Sequence, residues 1–491
     1  MNSKKDSQQE KIRIEKLKKL KKIGINPYPS EKYYISSSIK KILNNYKKKK
    51  NVSIAGRIMS IRIMGKASFL EIEDYSDIIQ IYINKNYIDD KKYNIVLKKL
   101  IDIGDFIGIK GFLFKTKTKK ITINAENFTL LSKSLKPIPN VKLDKYGISH
   151  DVFSDTEQRY RMRYIDLIVN KNVKNVFISR TNIINYIRNF LNKKEYLEVE
   201  TPILQNIPGG AIAKPFKTYH NSLNIPLYLR TSNELYLKKL IVGGFKGVYE
   251  FAKDFRNEGM DRIHNPEFTI LELYVSYKDY YWMMDFTENL LEYICLKEKK
   301  NIKFNYFNKK ISFKKPYPKI SIYESIKKYT GFDIENINKI SLIEICKKLN
   351  ITILNYNKGK IIDDIFDKYC SKYYIQPTFI IDHPVEMNPL SKRHRKNTNI
   401  TERFELIING KEIANAYSEL NDPIDQLNRF KKQNKKNINE EELIDYDFIN
   451  SLKIGMPPTA GIGFGIDRLI MLLTNQKSIQ DVLFFPQMKN K

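Results

Sequence analysis

FRNEGMDRIHNPEFTILELY, residues 255–274, reads as the end of one strand, a polar loop and a second strand. Side chains alternate along a strand, so Glu272 and Tyr274 share one face of the second strand, while Arg256 closes the first. A guanidinium aimed into a cleft suits a phosphate or a carboxylate, because its planar fork donates two parallel hydrogen bonds. A surface hairpin with incidental charges would carry the same letters, so this stretch needs company.

Two further segments supply it. In RFELIINGKEIANAYSELND, residues 403–422, Glu405 and Glu412 flank a turn expected at Asn409–Gly410, and both could converge on one ion. Two carboxylates completed by phosphate oxygens are a usual Mg²⁺ arrangement, since the hard cation wants oxygens and keeps some of its water. Strict alternation puts Glu412, Ala414, Ala416 and Ser418 on one face, with Asn415, Tyr417 and Glu419 on the other. Glu412 joins Asn415 and Glu419 only if the strand bulges or twists. In GIGFGIDRL, residues 461–469, the GxGxG spacing is not a dinucleotide fingerprint. Its glycines permit close approach of a ligand or another backbone, and Arg468 at the start of the following helix would face the same cleft.

Around these segments the chain alternates helices and strands. A helix over 176–194 leads into YLEVETPIL, strands follow at LYLRTS, GVYEFAKDFRNE and EFTILELYVSY, and a helical insertion spans about 321–376. Upstream, Val52 to Leu131 holds five short β-rich runs with a helical stretch at 86–101 after the third. That order matches an OB-fold, a small barrel whose open face binds single-stranded nucleic acid. Residues 4–22 read as a basic amphipathic helix with Ile12, Ile14, Leu17 and Leu20 on its apolar side, either a solvated surface helix or an arm along RNA. The expected organisation is a basic helical arm over 1–50, the OB-fold over 51–133, a hinge over 134–170 and an α+β domain over 171–491.

The formal charge is +31, from 86 Lys and Arg against 55 Asp and Glu. Such an excess favours a polyanionic partner, although a bias toward Lys, Ile, Asn and Tyr would produce it too. Cys295, Cys346 and Cys370 form no CxxC pair, which argues against a zinc site or disulfide framework and for a reducing compartment. No apolar run approaches the roughly 18 residues that cross a bilayer, and the first 25 residues hold no apolar signal core. A cytoplasmic location and no membrane partner are expected.

Taken together the segments resemble the three signatures of class II aminoacyl-tRNA synthetases, in order: the helix and strand ending at Pro202, then FRNEG…HNPEF, then GIGFGIDR. An N-terminal OB-fold marks the subgroup that charges aspartate, asparagine and lysine. The closer resemblance is to lysyl-tRNA synthetases, through GRIMSIRIMGKASF, EQRYRMRYIDLIVN, IPGGAIAKPF, RTSNELYLKKLIVGGF, HPVEMNPLSK and EIANAYSELNDP, and it covers about residue 12 to the end. It implies a six-stranded antiparallel sheet flanked by helices, a homodimer formed through the first signature, and the substrates ATP, L-lysine and tRNA(Lys).

The resemblance also implies roles. Arg256 and Arg468 would be catalytic. Arg256 would hold the α-phosphate, with Phe268 and Arg468 sandwiching adenine, Glu258 near it, and His264 and Asn265 in the same ATP site. Glu405 and Glu412 would hold Mg²⁺. Gly210 and Glu234 would surround the lysine α-ammonium, Arg256 and Asn415 its carboxylate, and Glu272, Tyr274 and Glu419 its side-chain ammonium. Arg62, Phe69 and Gln80 would meet anticodon bases. Some relatives carry Gly-Phe at Ala416–Tyr417, and Glu126–Asn127 departs from the pattern of the last OB strand. A pocket lined by Glu234, Glu272 and Glu419 suits a substrate with two ammonium groups, whereas an aspartate pocket would need arginine or lysine.

Overall fold

The structure is a computed structural model that describes residues 7–139, 142–143, 149–150, 153–210, 213–353, 356–434 and 444–489. It divides into two compact units, Met1–Ser154 and Asp155–Lys491.

In the first unit, strands β1 (Asn51–Met64), β2 (Ala67–Glu73), β3 (Ile78–Asn84), β4 (Phe106–Lys115) and β5 (Ile121–Ser132) close a barrel in the order β1-β2-β3-β5-β4. Their alternation is regular, so isoleucines such as Ile54, Ile72, Ile81 and Ile109 fill the interior. The stretch expected as a helix over 86–101 contains a π-helix, Lys92–Leu100, between β3 and β4. Its Tyr93, Val96, Leu97 and Leu100 are buried and belong to the barrel core.

The basic helix α1 (Gln8–Lys22) starts at a capping box, Ser7 with Glu10. The expected apolar stripe is only partly right, since Leu20 is buried while Ile12 is exposed. Arg13 is buried instead and donates to the carbonyls of Ser134 and Ile103, both at 3.0 Å. Lys16 pairs with Asp102 at 2.5 Å. Polar anchors together with Leu20 in the barrel core hold this helix to its unit. The arm's first six residues lie outside the described residues.

The second unit is built on eight strands: β6 (Leu197–Glu198), β7 (Gly247–Phe255), β8 (Glu267–Ser276), β9 (Lys319–Ser321), β10 (Thr378–Ile381), β11 (Arg403–Ile408), β12 (Lys411–Ser418) and β13 (Thr459–Gly465). Their order is β9-β10-β11-β12-β13-β8-β7-β6. The six from β10 to β7 are antiparallel throughout, the arrangement expected, and one parallel strand is added at each edge. A parallel pair needs a crossover connection. The helical insertion supplies one: α5 (Ile322–Thr330), α6 (Lys339–Lys348) and α7 (Lys358–Tyr369) link β9 to β10 around their own core of Ile326, Leu342, Ile362 and Phe366.

One face of the sheet buries Leu271, Leu273, Phe404, Leu406, Ala414, Ala416, Ile462 and Phe464. They pack with side chains from α2 (Lys171–Asn192), α4 (Tyr280–Lys299) and α8 (Ile466–Leu473). Residues 156–161 and 163–169, expected inside a hinge, are helices of this unit. Buried Arg163 fixes them, pairing with Asp166 at 2.5 Å and donating to the Gln480 and Phe484 carbonyls. The hinge positions 140–141, 144–148 and 151–152 lie outside the described residues.

Candidate active site

Because one face of the sheet is core, its other face collects every alternate residue. Two rows run across it. Glu272 of β8 stands opposite Gly463 of β13, which faces Asn415 of β12, which faces Glu405 of β11. The next row is Tyr274, Gly461, Tyr417 and Arg403 in the same order. A Cβ on Gly463 would stand 2.7 Å from Glu272 Oε1, and one on Gly461 would meet Glu419 and Tyr274. Gly461 and Gly463 therefore make room for acidic side chains over the sheet.

Strict alternation would leave Glu412 on the core face. The β11–β12 hairpin turns at Asn409 and Gly410, both with positive φ. Ile408 pairs with Lys411 and Ile407 with Glu412, yet Leu406 pairs with Ala414. Ile413 is thus an extra, bulged residue, and it carries Glu412 to the same side as Asn415. Both residues line a cleft of about 1590 Å³, together with Gly210, Glu234, Arg256, Glu258, His264, Asn265, Phe268, Glu272, Tyr274, Glu405 and Arg468. Every residue expected at the ATP, Mg²⁺ and lysine sites reaches this cleft except Glu419, which is only 1% exposed.

At one end of the cleft the groups suit polyphosphate. The Arg256 guanidinium stands 5.0 Å over the Phe268 ring, and its buried Nε has no hydrogen-bond partner. Arg468 donates to the Glu412 carbonyl at 2.9 Å and lies 3.4 Å from its carboxylate. Its other nitrogen is 3.3 Å from His264 Nε2, while His264 Nδ1 meets Asp261 at 2.7 Å. Asn265 donates to the Glu267 carbonyl, and its buried Oδ1 has no partner. Glu258 is exposed and accepts from the Lys214 amide at 3.3 Å. Buried donors and acceptors without partners are costly unless a ligand completes them.

Glu405 is paired with Arg403 at 2.5 Å, and Arg403 also donates to Asn415 at 3.0 Å. Burial, with Glu412, Asp363 and Asp367 adding to it and Arg403 opposing, pushes the Glu405 carboxyl up to about 8. Asp363 and Asp367, one turn apart on α7, line the cleft too. The i, i+4 spacing of these two aspartates was the available sequence signal, and it is a weak one because such pairs abound on solvated helices. Among the described residues no three His, Cys, Asp or Glu side chains cage an ion by themselves. Two carboxylates plus phosphate oxygens is the set such a place can offer.

The other end is an acidic pocket. Tyr274 donates to Glu272 Oε2 at 2.9 Å, and burial, helped by Glu234 and Asp254, raises Glu272 to about 8. Gly210, with φ +86°, lies so near Ser232 that a Cβ would come within 2.9 Å of its hydroxyl, and that hydroxyl accepts from the Glu234 amide. Glu234 opens α3 (Glu234–Val242) and is met at 2.5 Å by Lys238, one turn along. Lys238 is fully buried and also pairs with Glu419. The sequence offers Glu419 the substrate's side-chain ammonium as its cation. Here the partner is Lys238, and Arg403 goes to Glu405. The Glu-x-x-x-Lys spacing of ELYLK was the missed signal.

On the barrel, Arg62, Phe69 and Tyr82 are cross-strand partners in one row over β1, β2 and β3. Ser68 and Leu70 point into the core at 0% exposure, so Phe69 points outward, 5.1 Å from the Tyr82 ring. Gln80 shares that outer face and accepts from Thr122 at 3.2 Å.

An antiparallel sheet carrying this cleft, in a chain that also holds a five-stranded barrel, defines a class of protein. Residues 155–489 match the family of class II tRNA synthetases (D, K and N), and residues 52–131 match the OB-fold nucleic acid binding domain. The chain is 56% identical to the lysine–tRNA ligase of Christiangramia forsetii, over 98% of this chain and 86% of that one. It is 54% identical to the enzyme of Porphyromonas gingivalis, with the same coverage, and to that of Azobacteroides pseudotrichonymphae over 98% of this chain and 99% of that one. The chain belongs to the lysine–tRNA ligases.

Proposed function

We propose the following division of labour in joining L-lysine to tRNA(Lys) with ATP, a reaction that yields AMP and pyrophosphate. Adenine stacks on Phe268 with Arg468 across from it, Glu258 and Asn265 border it, and His264 reaches the terminal phosphates. Arg256 bridges the α-phosphate and the lysine carboxylate, which Asn415 also holds. A carboxylate oxygen of lysine attacks the α-phosphorus, the bond to the bridging oxygen breaks, and pyrophosphate leaves. The terminal ribose hydroxyl of tRNA then attacks the adenylate carbonyl, and AMP departs. No protein nucleophile is needed; positioning and charge neutralisation by Arg256 and Arg468 carry the rate. Glu405 and Glu412 would hold Mg²⁺, which supplies further neutralisation of the phosphates when bound.

Gly210 and Glu234 receive the lysine α-ammonium, and Glu272, Tyr274 and Glu419 its side-chain ammonium. Arg62, Phe69 and Gln80 read anticodon bases. Ile178 on α2 and Leu197 on β6 are exposed apolar residues of the first signature, and they support a homodimer through it. No helix among the described residues is long and apolar enough to cross a membrane, and we place the enzyme in the cytoplasm.

The observation that carries this assignment is the acidic pocket sharing one cleft with the unpartnered guanidinium nitrogen of Arg256. Pyrophosphate exchange into ATP, run with each of the twenty amino acids, tests it. Lysine is expected to support exchange at least a hundredfold better than aspartate or asparagine. Equal support by either of these would overturn it.

A further inference from the structure

Glu234 and Glu272 line the pocket end of the cleft, Glu419 is buried beside them, and Lys238 brings an ammonium of the chain's own among these carboxylates. Lys238 Nζ is fully buried, bonded to Glu234 Oε1 and paired with Glu419 Oε2. The rings of Tyr274, Tyr417 and Phe448 surround it at 5.6 to 5.9 Å. Burial works against its charge, yet Glu234 and Glu419 outweigh burial and raise its pKa. It is a fixed cation.

Tyr417 adds a second donor. Its hydroxyl gives a hydrogen bond of 2.6 Å to the same oxygen, Glu234 Oε1. Burial, then the Glu234 and Glu419 charges, keep that phenol well above its ordinary pKa, so the proton stays available for donation. Both donors converge on Oε1, and among the described residues no side chain bonds Oε2, although Glu234 lines the cleft.

We propose that Lys238 and Tyr417 are positioning residues that together seize one oxygen of Glu234 and present the other to the substrate α-ammonium. This rests on the assignment of Glu234 to that ammonium. An ammonium held by a carboxylate that is already oriented loses less freedom on binding than one that must first recruit it. The lysine at 238 sits at the right spacing because residues four apart on a helix share a face. It reaches Glu234 within its own helix and Glu419 from the sheet side. The tyrosine at 417 faces the cleft because it is two residues beyond Asn415 on the same strand face.

The test compares lysine with 6-aminohexanoate, which keeps the carboxylate and terminal ammonium but lacks the α-ammonium. Tyr417→Phe removes only the hydroxyl. In pyrophosphate exchange it is expected to raise the lysine KM about tenfold, the usual worth of a hydrogen bond to a charged group. The ATP KM and the inhibition constant of 6-aminohexanoate should stay within twofold. Lys238→Met should raise the lysine KM further. A lysine KM within twofold of the parent's in Tyr417→Phe overturns the proposal, as does an equal loss of lysine and 6-aminohexanoate. Glu234→Gln separates the underlying assignment. If it weakens both ligands equally, Glu234 does not hold the α-ammonium; if it weakens lysine selectively while Tyr417→Phe is silent, only the positioning role fails.

Discussion

Glu419 shows how much one residue can reveal and hide. Its position in AYSELND suggests a site for the substrate ammonium, and the structure buries it to 1% exposure with Lys238 against it. What the sequence did not disclose is that the first cation there belongs to the chain. Burial, then Glu234 and Glu272 against the pull of Lys238, leave the Glu419 pKa well above its ordinary value. The cluster is short of positive charge, and on the proposed assignment a substrate ammonium would relieve it. Glu419→Gln keeps the size and removes the charge. Breaking one partner from a buried pair costs on the order of 3–5 kcal/mol, so kcat/KM for lysine should fall by roughly 10²–10³. Steady-state exchange kinetics check this: the ATP KM should change less than threefold, and a lysine KM within threefold at unchanged kcat would remove Glu419 from the site. Arg256, Phe268 and Arg468 were legible because each stands in a long ordered motif. Lys238 was not, because Glu-x-x-x-Lys is also an ordinary pattern of a solvated helix.

At the scale of elements, strand alternation told most of the story and failed at one residue. It placed Glu272 with Tyr274, and Asn415 with Tyr417, but put Glu412 on the wrong face. The bulge at Ile413 reverses that, and a bulge is set by the register of the partner strand, which no single strand records. The hairpin then carries both proposed Mg²⁺ carboxylates. Replacing Glu405 and Glu412 together with Gln should leave the sheet intact, since glutamine fills the same space, yet reduce adenylate formation at least a hundredfold. Far-ultraviolet dichroism alongside exchange at limiting Mg²⁺ checks both halves, and unchanged exchange would rule the hairpin out. The barrel offers a cleaner case. Phe69 points outward between two inward residues, so Phe69→Ala should barely touch folding. It should weaken tRNA(Lys) binding by about 1–3 kcal/mol, the worth of one base stack. Filter binding of tRNA with lysine activation measured in parallel decides, for equal losses in both would make the ring structural. The helix α1 is the opposite lesson: its polarity was legible, but its docking through Arg13 depends on carbonyls more than 85 residues away.

For the molecule as a whole, the acidic pocket is a stability liability whose sign can be worked out. Glu272, ordinarily at 4.5, is raised to about 8 by burial and by the Glu234 and Asp254 carboxylates, against Tyr274 and Lys238. Asp254, ordinarily at 3.8, is raised to about 6 by burial, with Arg230 and Arg256 opposing. A carboxyl with a raised folded pKa binds its proton more tightly when folded than when unfolded. The stability it contributes is therefore complete below about pH 4 and lost as pH rises, through 6 for Asp254 and through 8 for Glu272. Without lysine, the melting temperature of the catalytic unit should accordingly decline as pH rises from about 4 to about 8. On the proposed assignment lysine changes the balance, because its side-chain ammonium would favour the ionised form of Glu272 and bind best once that proton has gone. The rise in melting temperature given by a fixed excess of lysine should grow across the same interval, since ligand stabilisation follows affinity at that pH. Calorimetry at about pH 6 and 8.5, with and without lysine, measures it. Glu272→Gln should leave only the part of the decline that Asp254 causes and should abolish the growing protection, because glutamine cannot titrate. Protection by lysine that is equal at the two pH values in the parent enzyme would show that Glu272 does not take the ammonium, leaving Glu419 as its sole acidic partner.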